Sequence, residues 1–224
     1  MQTYSQFCPV AKAAELLDGP WTLLVLRELC TGSSHWGELR RGLPRMSPSL
    51  LSKRLKTLVR AGVVDRFQDG DTVVYRLTDA GAELRPLIET LGTWGTRWIG
   101  ELGNPDYDPH LLLWDMHRRV DLAALPPVRT VVHFTFRGLP ADVRDWWLVL
   151  GADGVVDVCD DDPGFGDNVV VDADLRTLVW VWRGDLGWHD ALSSGRIRLH
   201  GPAALRRALP GWFRLSVFAT VPRP

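Results

Sequence analysis

The stretch Ser47-Pro48-Ser49-Leu50-Leu51-Ser52-Lys53-Arg54-Leu55-Lys56-Thr57-Leu58-Val59-Arg60-Ala61-Gly62 constrains this chain more than any other. It reads as one helix, with Ser47 as N-cap, Pro48 at the first helical position and Gly62 just past the end. Leu51, Leu55 and Leu58 recur at helical spacing on one face, with Leu50 and Val59 at its edges. The other face gathers Ser49, Ser52, Lys53, Lys56 and Arg60, with Arg54 at the boundary, and no carboxylate interrupts it. One side suits a core and the other a polyanion. A merely solvated surface helix shows the same charge pattern, so the flanking sequence has to decide.

Upstream, the spacing predicts helices over Pro9–Leu17, Pro20–Leu29 and His35–Arg41. The second is nearly all apolar and belongs in a core; the third places Trp36 and Leu39 inward and Arg40 and Arg41 outward. Gly42-Leu43-Pro44-Arg45-Met46 is the turn into the basic helix. A short helix, a tight turn and a second helix with a polar front is the helix-turn-helix order. Downstream, Val63–Phe67 and Thr72–Leu77 read as two strands around Gln68-Asp69-Gly70-Asp71, whose Asp-Gly pair signals a tight hairpin, the wing. Thr78 then caps a long helix running to Trp98, with Pro86 kinking it. Its apolar residues Leu84, Leu87, Leu91, Trp94 and Trp98 have little left to pack on, and a second subunit is their natural cover.

Composition bears on this reading through its asymmetry. The net charge of −1 over 224 residues argues against a nucleic-acid partner only on average. Between Trp36 and Arg60 seven Lys or Arg face the single acid Glu38, whereas between Glu101 and Asp174 fifteen acids face five arginines. A basic front and an acidic back fit two domains facing different partners. Cys8, Cys30 and Cys159 form neither a disulfide framework nor a metal knuckle, and the start lacks the pattern of a signal peptide. The longest apolar runs fall short of the ~20 residues of a membrane span, so a cytoplasmic, reduced protein is expected.

Several separated motifs agree with one family. Cys8-Pro9-Val10, Gly19-Pro20-Trp21-Thr22-Leu23-Leu24-Val25-Leu26-Arg27-Glu28-Leu29, Ser47 to Leu58 and Tyr75-Arg76-Leu77-Thr78-Asp79-Ala80-Gly81 resemble the HxlR-type, MarR-like winged helix-turn-helix regulators over about residues 6 to 100. The resemblance implies a homodimeric bacterial transcription factor with the Ser47–Arg60 helix in the major groove and the terminal helices forming the dimer. Cys8 precedes the first helix, as in family members that sense oxidants or electrophiles through that thiol, and is a candidate redox group. The wing departs from the family in its short acidic tip, Asp69-Gly70-Asp71, which would repel phosphates; Arg66 and Arg76 at its base are better backbone contacts. Ser47, Ser49, Ser52 and Lys53 lie early in the helix, Ser49, Ser52 and Lys53 being the base readers, while Arg40, Arg41, Arg45, Arg54, Lys56 and Arg60 hold phosphates. The expected partner is double-stranded DNA, a palindromic operator with half-sites about 10 bp apart or a multiple of that.

The second half reads as α+β: strands Thr130–Phe136, Trp146–Leu150, Val155–Cys159, Val169–Ala173, Arg196–Gly201 and Leu215–Ala219, and helices His110–Leu122, Asp174–Arg183, Gly187–Ser193 and Ala203–Leu209. The fold class expected for the whole is α+β, with a winged domain over 1–100, a linker with a helix over 101–127 and a second domain over 128–224. The run from Asn168 to Leu178, with Gly184-Asp185-Leu186, Ala191 to Ile197 and Gly201-Pro202-Ala203-Ala204-Leu205, is similar to sterol-carrier-protein domains across about 128 to 213. That resemblance implies a site for a small apolar ligand. Phe134, Phe136, Trp146, Trp147, Trp180, Trp182, Trp188, Trp212 and Phe213 supply large rings that either fill a core or line such a pocket. Asp160-Asp161-Asp162-Pro163-Gly164 lacks calcium-loop spacing, and no nucleophile elbow surrounds His189-Asp190 or Ser193-Ser194. No metal, cofactor or catalytic residue is expected, and the chain reads as a ligand-responsive regulator. A carrier whose first half only dimerises stands as the alternative, separated by whether the chain binds DNA.

Overall fold

Leucine spacing in the first part of the chain and strand alternation in the rest build two separate cores. A computed structural model describes residues 3–99 and 102–223; the domain limits expected at residues 1, 100, 101 and 224 lie outside them. The chain divides into two units between Thr96 and Arg97. No helix among the described residues is long and apolar enough to cross a membrane.

The first unit contains α1 (Pro9–Leu17), α2 (Thr22–Cys30), α3 (Trp36–Gly42), α4 (Pro48–Arg60), the hairpin β1 (Val64–Asp69) and β2 (Thr72–Leu77), and α5 (Asp79–Ala82). Its core joins Val25, Leu26 and Leu29 of α2, Leu39 of α3, Leu43 and Met46 of the turn, and Leu51, Leu55 and Leu58 of α4. Each such leucine contributes about 1.5–3 kcal/mol through burial. Trp36, expected inward, is instead about a third exposed, and α3 turns Leu39 and Gly42 inward. The hairpin loop is shorter than expected. Gln68 and Asp69 pair with Val73 and Thr72, leaving Gly70-Asp71 as a two-residue turn with Gly70 at φ 57, the sign that the first position of a II′ turn requires.

The long helix expected from Thr78 is two. Thr78 Oγ1 accepts from Gly81 N at 3.1 Å and caps α5, the chain turns at Glu83 and Leu84, and α6 (Arg85–Trp98) begins. Pro86 has no N–H to give the carbonyl of Ala82 and its ring crowds that carbonyl, so the helix breaks there rather than kinks.

In the second unit come α7 (Pro109–His117), β3 (Thr130–Phe136), α8 (Ala141–Arg144), β4 (Asp145–Leu150), β5 (Val156–Cys159), β6 (Val169–Ala173), α9 (Leu175–Arg183), α10 (Trp188–Ser193), β7 (Ile197–His200) and α11 (Ala203–Ala208). The sheet order is β5-β4-β3-β6-β7, antiparallel throughout except for the parallel pair β3–β6. Alternation sends Val132, Phe134 and Phe136 of β3, Trp146, Leu148 and Leu150 of β4, and Val169, Val171 and Ala173 of β6 to one buried face. Helices α7 and α9 supply the facing layer, through Leu112, Leu113 and Met116 and through Leu178, Val181 and Trp182. The helix expected within the 101–127 linker is α7, and its Leu112, Leu113 and Met116 belong to this core. That helix stops at His117 rather than Leu122, because Val120 bridges to Phe213 and Asp121 N donates to Trp212 O. The strand expected at Leu215–Ala219 is absent. Ser216 N donates to Trp182 O and Ala219 N to Ser216 O, which folds the segment into a turn.

Candidate nucleic-acid interface

Helix α4 is anchored from behind and open in front. Ser47 Oγ accepts from Leu50 N at 3.3 Å and lies 3.3 Å from Ser49 Oγ, so the first turn presents two linked hydroxyls. Leu51, Leu55 and Leu58 are buried, while Ser49, Lys53, Lys56 and Arg60 are exposed and Ser52 is half-buried. Thr57 Oγ1 donates back to Lys53 O at 3.0 Å, which keeps that hydroxyl off the front.

The turn before α4 is set by a buried acid. Glu28 is fully buried, bonded by Arg27 Nη2 at 2.8 Å and by Ser33 Oγ at 3.3 Å, and Arg27 Nη2 also donates to Gly42 O at 3.1 Å. A Cβ on Gly42 would lie 1.8 Å from Glu28 Oε2, so only glycine lets α3 close onto α2 at this point. At the other end of α3, Glu38 Oε2 accepts from Ser34 N at 2.7 Å and His35 N at 3.0 Å. Burial pushes the Glu38 carboxyl up, but these two N–H groups and the His35 ring outweigh it and hold it below its ordinary value.

The arginines expected at the phosphates divide into two groups. Arg40 turns inward, its Nη1 donating to Leu43 O at 2.8 Å and Pro44 O at 2.7 Å. Arg54 likewise reaches back, its Nε donating to Pro20 O at 2.9 Å. Both guanidiniums hold backbone carbonyls of their own unit. Arg41 and Arg45 are exposed at the edge of the turn. On the wing, Arg66 and Arg76 are exposed, and Arg76 lies over the Phe67 ring at 4.9 Å. The acidic tip Asp69-Gly70-Asp71 is exposed.

Sequence reasoning missed the partner of Arg54. Gly19 leaves room for it, since a Cβ there would meet Arg54 Cζ at 2.9 Å, and Trp21 adopts φ 72, a left-handed conformation that is strained for a large side chain. Gly19-Pro20-Trp21 is thus a shaped receptor for the α4 arginine. The consecutive Gly-Pro was the available signal, but nothing in the local pattern names a partner 34 residues away.

Two further groups of expected residues are placed as follows. Cys8 is half-buried at the N-cap of α1; Cys30 is buried, and burial pushes its thiol up against the lowering effect of Arg85. Of the nine rings considered for a ligand, Phe134, Phe136, Trp146, Trp182, Trp212 and Phe213 are buried in the second core, and Trp147, Trp180 and Trp188 are half-buried. Trp147 stacks on His133 at 4.7 Å, and the His133 ring nitrogens each sit 2.9 Å from a carboxylate oxygen, of Asp145 and Asp167.

Residues 16–102 match the family model described as HxlR-like helix-turn-helix. The chain is 38% identical over 99 residues to the HTH-type transcriptional regulator YvaP of Bacillus subtilis, covering 42% of this chain and 92% of that protein. It is 35% identical over 95 residues to the HTH-type transcriptional regulator sll1512 of Synechocystis, covering 41% of this chain and 70% of that one. Among solved structures, the reduced form of the transcriptional regulator YodB from B. subtilis is 26% identical, with 43% of this chain and 100% of that chain covered and a TM-score of 0.38. The identity and coverage of YvaP, together with the helix-turn-helix and wing just described, settle the family: this chain belongs to the HxlR-like helix-turn-helix transcriptional regulators, with its DNA-binding domain in about the first hundred residues.

Proposed function

We propose that the protein acts as a homodimer on a palindromic operator, with α4 in the major groove, and that its second unit takes an effector. The observation that carries the DNA reading is the front of α4, where Lys53, Lys56 and Arg60 are exposed and no carboxylate shares the face. Ser49, Ser52 and Lys53 read bases, and Lys56, Arg60, Arg41, Arg45 and the wing arginines Arg66 and Arg76 hold phosphates. Arg40 and Arg54 are reassigned to holding the turn and the helix in register. Association is supported by α6, where Leu87, Leu91, Trp94 and Trp98 stand at i, i+4, i+7 and i+11, each 45–60% exposed. The test is a gel shift with fragmented genomic DNA across a salt series. A Lys56→Glu variant that binds as well as the parent would sink the assignment of that face.

For the effector, a sterol-carrier-like second unit is our reading of its sheet order and helical layer. It would work by binding, with no catalytic step. Thiol sensing at Cys8 is a second reading, favoured by its half-exposed place ahead of α1. Unchanged DNA affinity after diamide treatment would end it.

A further inference from the structure

His133 has a carboxylate at each ring nitrogen. On the face of the sheet turned away from the buried core, Nε2 lies 2.9 Å from Asp145 Oδ1 and Nδ1 lies 2.9 Å from Asp167 Oδ2. An imidazole with one proton can donate to only one of them, and its other nitrogen then turns a lone pair toward an anion. Only the imidazolium, with two N–H groups, satisfies both. The other groups facing the ring leave this requirement in place. Arg144 Nε is bound to the second oxygen of Asp145 at 3.0 Å, and Trp147, opposite on β4, stacks on the ring at 4.7 Å. Val170, opposite on β6, is uncharged, and Cys159 and His200 stand one strand further out in the same row. Asp172, one row along, is bound by Arg137.

The two carboxylates are not held equally. Asp145 sits on β4, paired with Thr135 in the β3–β4 ladder, and Arg144 fixes it further. Asp167 belongs to the segment between β5 and β6, and among the described residues no backbone hydrogen bond ties 160–167 to a strand. The backbone contacts resume at Asn168, whose N donates to Val131 O at 3.0 Å. Side chains tether the segment instead: Asp167 Oδ1 accepts from Trp147 Nε1 at 3.1 Å, Asp167 Oδ2 faces His133, and Arg129 lies 4.2 Å over the Phe165 ring. Asp160, Asp161 and Asp162 are exposed on it, and the segment contains no base.

We propose that His133 is a proton-operated clasp: the imidazolium holds segment 160–167 on the outer face of the sheet through Asp167, and loss of one proton releases it. The remaining proton stays on Nε2, because Asp145 is fixed by its ladder while Asp167 is free to move away from the bare Nδ1. Release uncovers the Trp147–His133 stack and frees an acidic segment. The proton is then a ligand that binds the closed form more tightly than the open one, which is what lets it shift the balance between them. The clasp is independent of whether the second unit takes an organic effector, since it uses none of the residues assigned to one except Trp147.

The test is the solvent-exchange rate of the Trp147 indole proton in the full chain, read by NMR and assigned through Trp147→Phe. At each pH it is divided by the rate of free N-acetyltryptophanamide, which removes the intrinsic pH dependence. Histidine is the residue whose ordinary charge change falls between pH 5 and 8, and this sets the range to search. From pH 5.0 to 7.5 the ratio should rise at least about tenfold in the parent, as one charge-assisted hydrogen bond is lost. Asp167→Asn keeps the oxygen that faces Trp147 and puts an amide N–H in the place of Oδ2, a donor for the lone pair of the neutral ring. There the rise should be gone, with the ratio no higher at pH 7.5 than at pH 5.0. His133→Gln, which has no proton to lose in this range, should also remove it. Thermal unfolding checks that both variants fold, and either one alone decides the matter if the other does not. A parent ratio that changes less than about twofold overturns the clasp, and so does a rise that persists in either folded variant, since a merely structural contact weakens protection without altering its response to pH.

Discussion

One set of cations in each unit is held in the opposite way to the other. In the second, Arg137, Arg144, Arg183 and Arg214 each reach an aspartate within the fold, and their charge is consumed where it stands. Along α4 of the first unit, Lys53, Lys56 and Arg60 stay exposed. The one acid between Trp36 and Arg60 is Glu38, and it is spent on the N-terminus of α3. A net charge near zero thus conceals a set of neutralised cations and a set left open. The supply of carboxylates within reach, more than the count of cations, decides which face can meet a polyanion.

The sharpest way to break that contrast is to disturb the frame that presents α4. Gly42→Ala drives a Cβ into the buried Glu28 carboxylate and displaces it from Arg27 and Ser33. Overpacking combined with loss of a buried ionic contact should cost on the order of 3 kcal/mol. Urea unfolding should show the first unit melting early while the sheet signal of the second holds. A change below about 0.5 kcal/mol would mean that the α2–α3 junction yields, and that Glu28 does not fix the turn.

Next in size is the difference between two cations on the same helix. Lys56→Ala should weaken binding to every duplex and lower the slope of log affinity against log salt by about one, the signature of a lost phosphate contact. Arg54→Ala should also weaken binding, by about tenfold, yet leave the slope alone, because its guanidinium holds Pro20 O. Gly19→Ala should mimic it by crowding Arg54, and the two substitutions together should cost little more than either. If Arg54→Ala lowers the salt slope, the side chain leaves its carbonyl on binding DNA and belongs with Lys56.

How much of this was legible in the sequence depended on range. The helix at Pro48–Arg60 is written locally by cap, proline and leucine period, and its front could be read residue by residue. Strands β3 and β6 likewise follow from their own alternation. Arg40 and Arg54 could not be told from Lys56, because what separates them is a carbonyl brought near by the fold, in Arg54's case from another helix–helix turn. The aromatic residues were ambiguous for a similar reason. A ring that fills a core and a ring that lines a pocket have the same composition and spacing, and only the packed sheet shows Phe134 and Trp212 to be fully enclosed. The turn at Leu215–Ala219 has strand-like residues, but Trp182 O and its own Ser216 O claim its N–H groups. Pro86 was read correctly as a disruption and misjudged in degree.

The smallest effect tests the neutralised surface itself. Burial pushes the Asp145 carboxyl up, but hydrogen bonds from His133, Arg144 and Thr135 outweigh it and hold the group below its ordinary value. A carboxylate held down in the folded state stabilises it fully above the unfolded value, about 3.9, and that contribution fades as pH falls through the lower native one. Asp145→Asn should therefore lower the melting temperature of the second unit at pH 7, where the loss is under about 1 kcal/mol because the pair is partly solvated. Parent and variant should converge toward pH 3. Asp167 still faces the other nitrogen of His133 in the variant, so the ring keeps one carboxylate and the sheet its register. A gap in melting temperature that stays constant from pH 7 to pH 3 would show that the side chain acts through shape rather than charge, and the second unit could no longer be described as a surface that neutralises its own cations at this position.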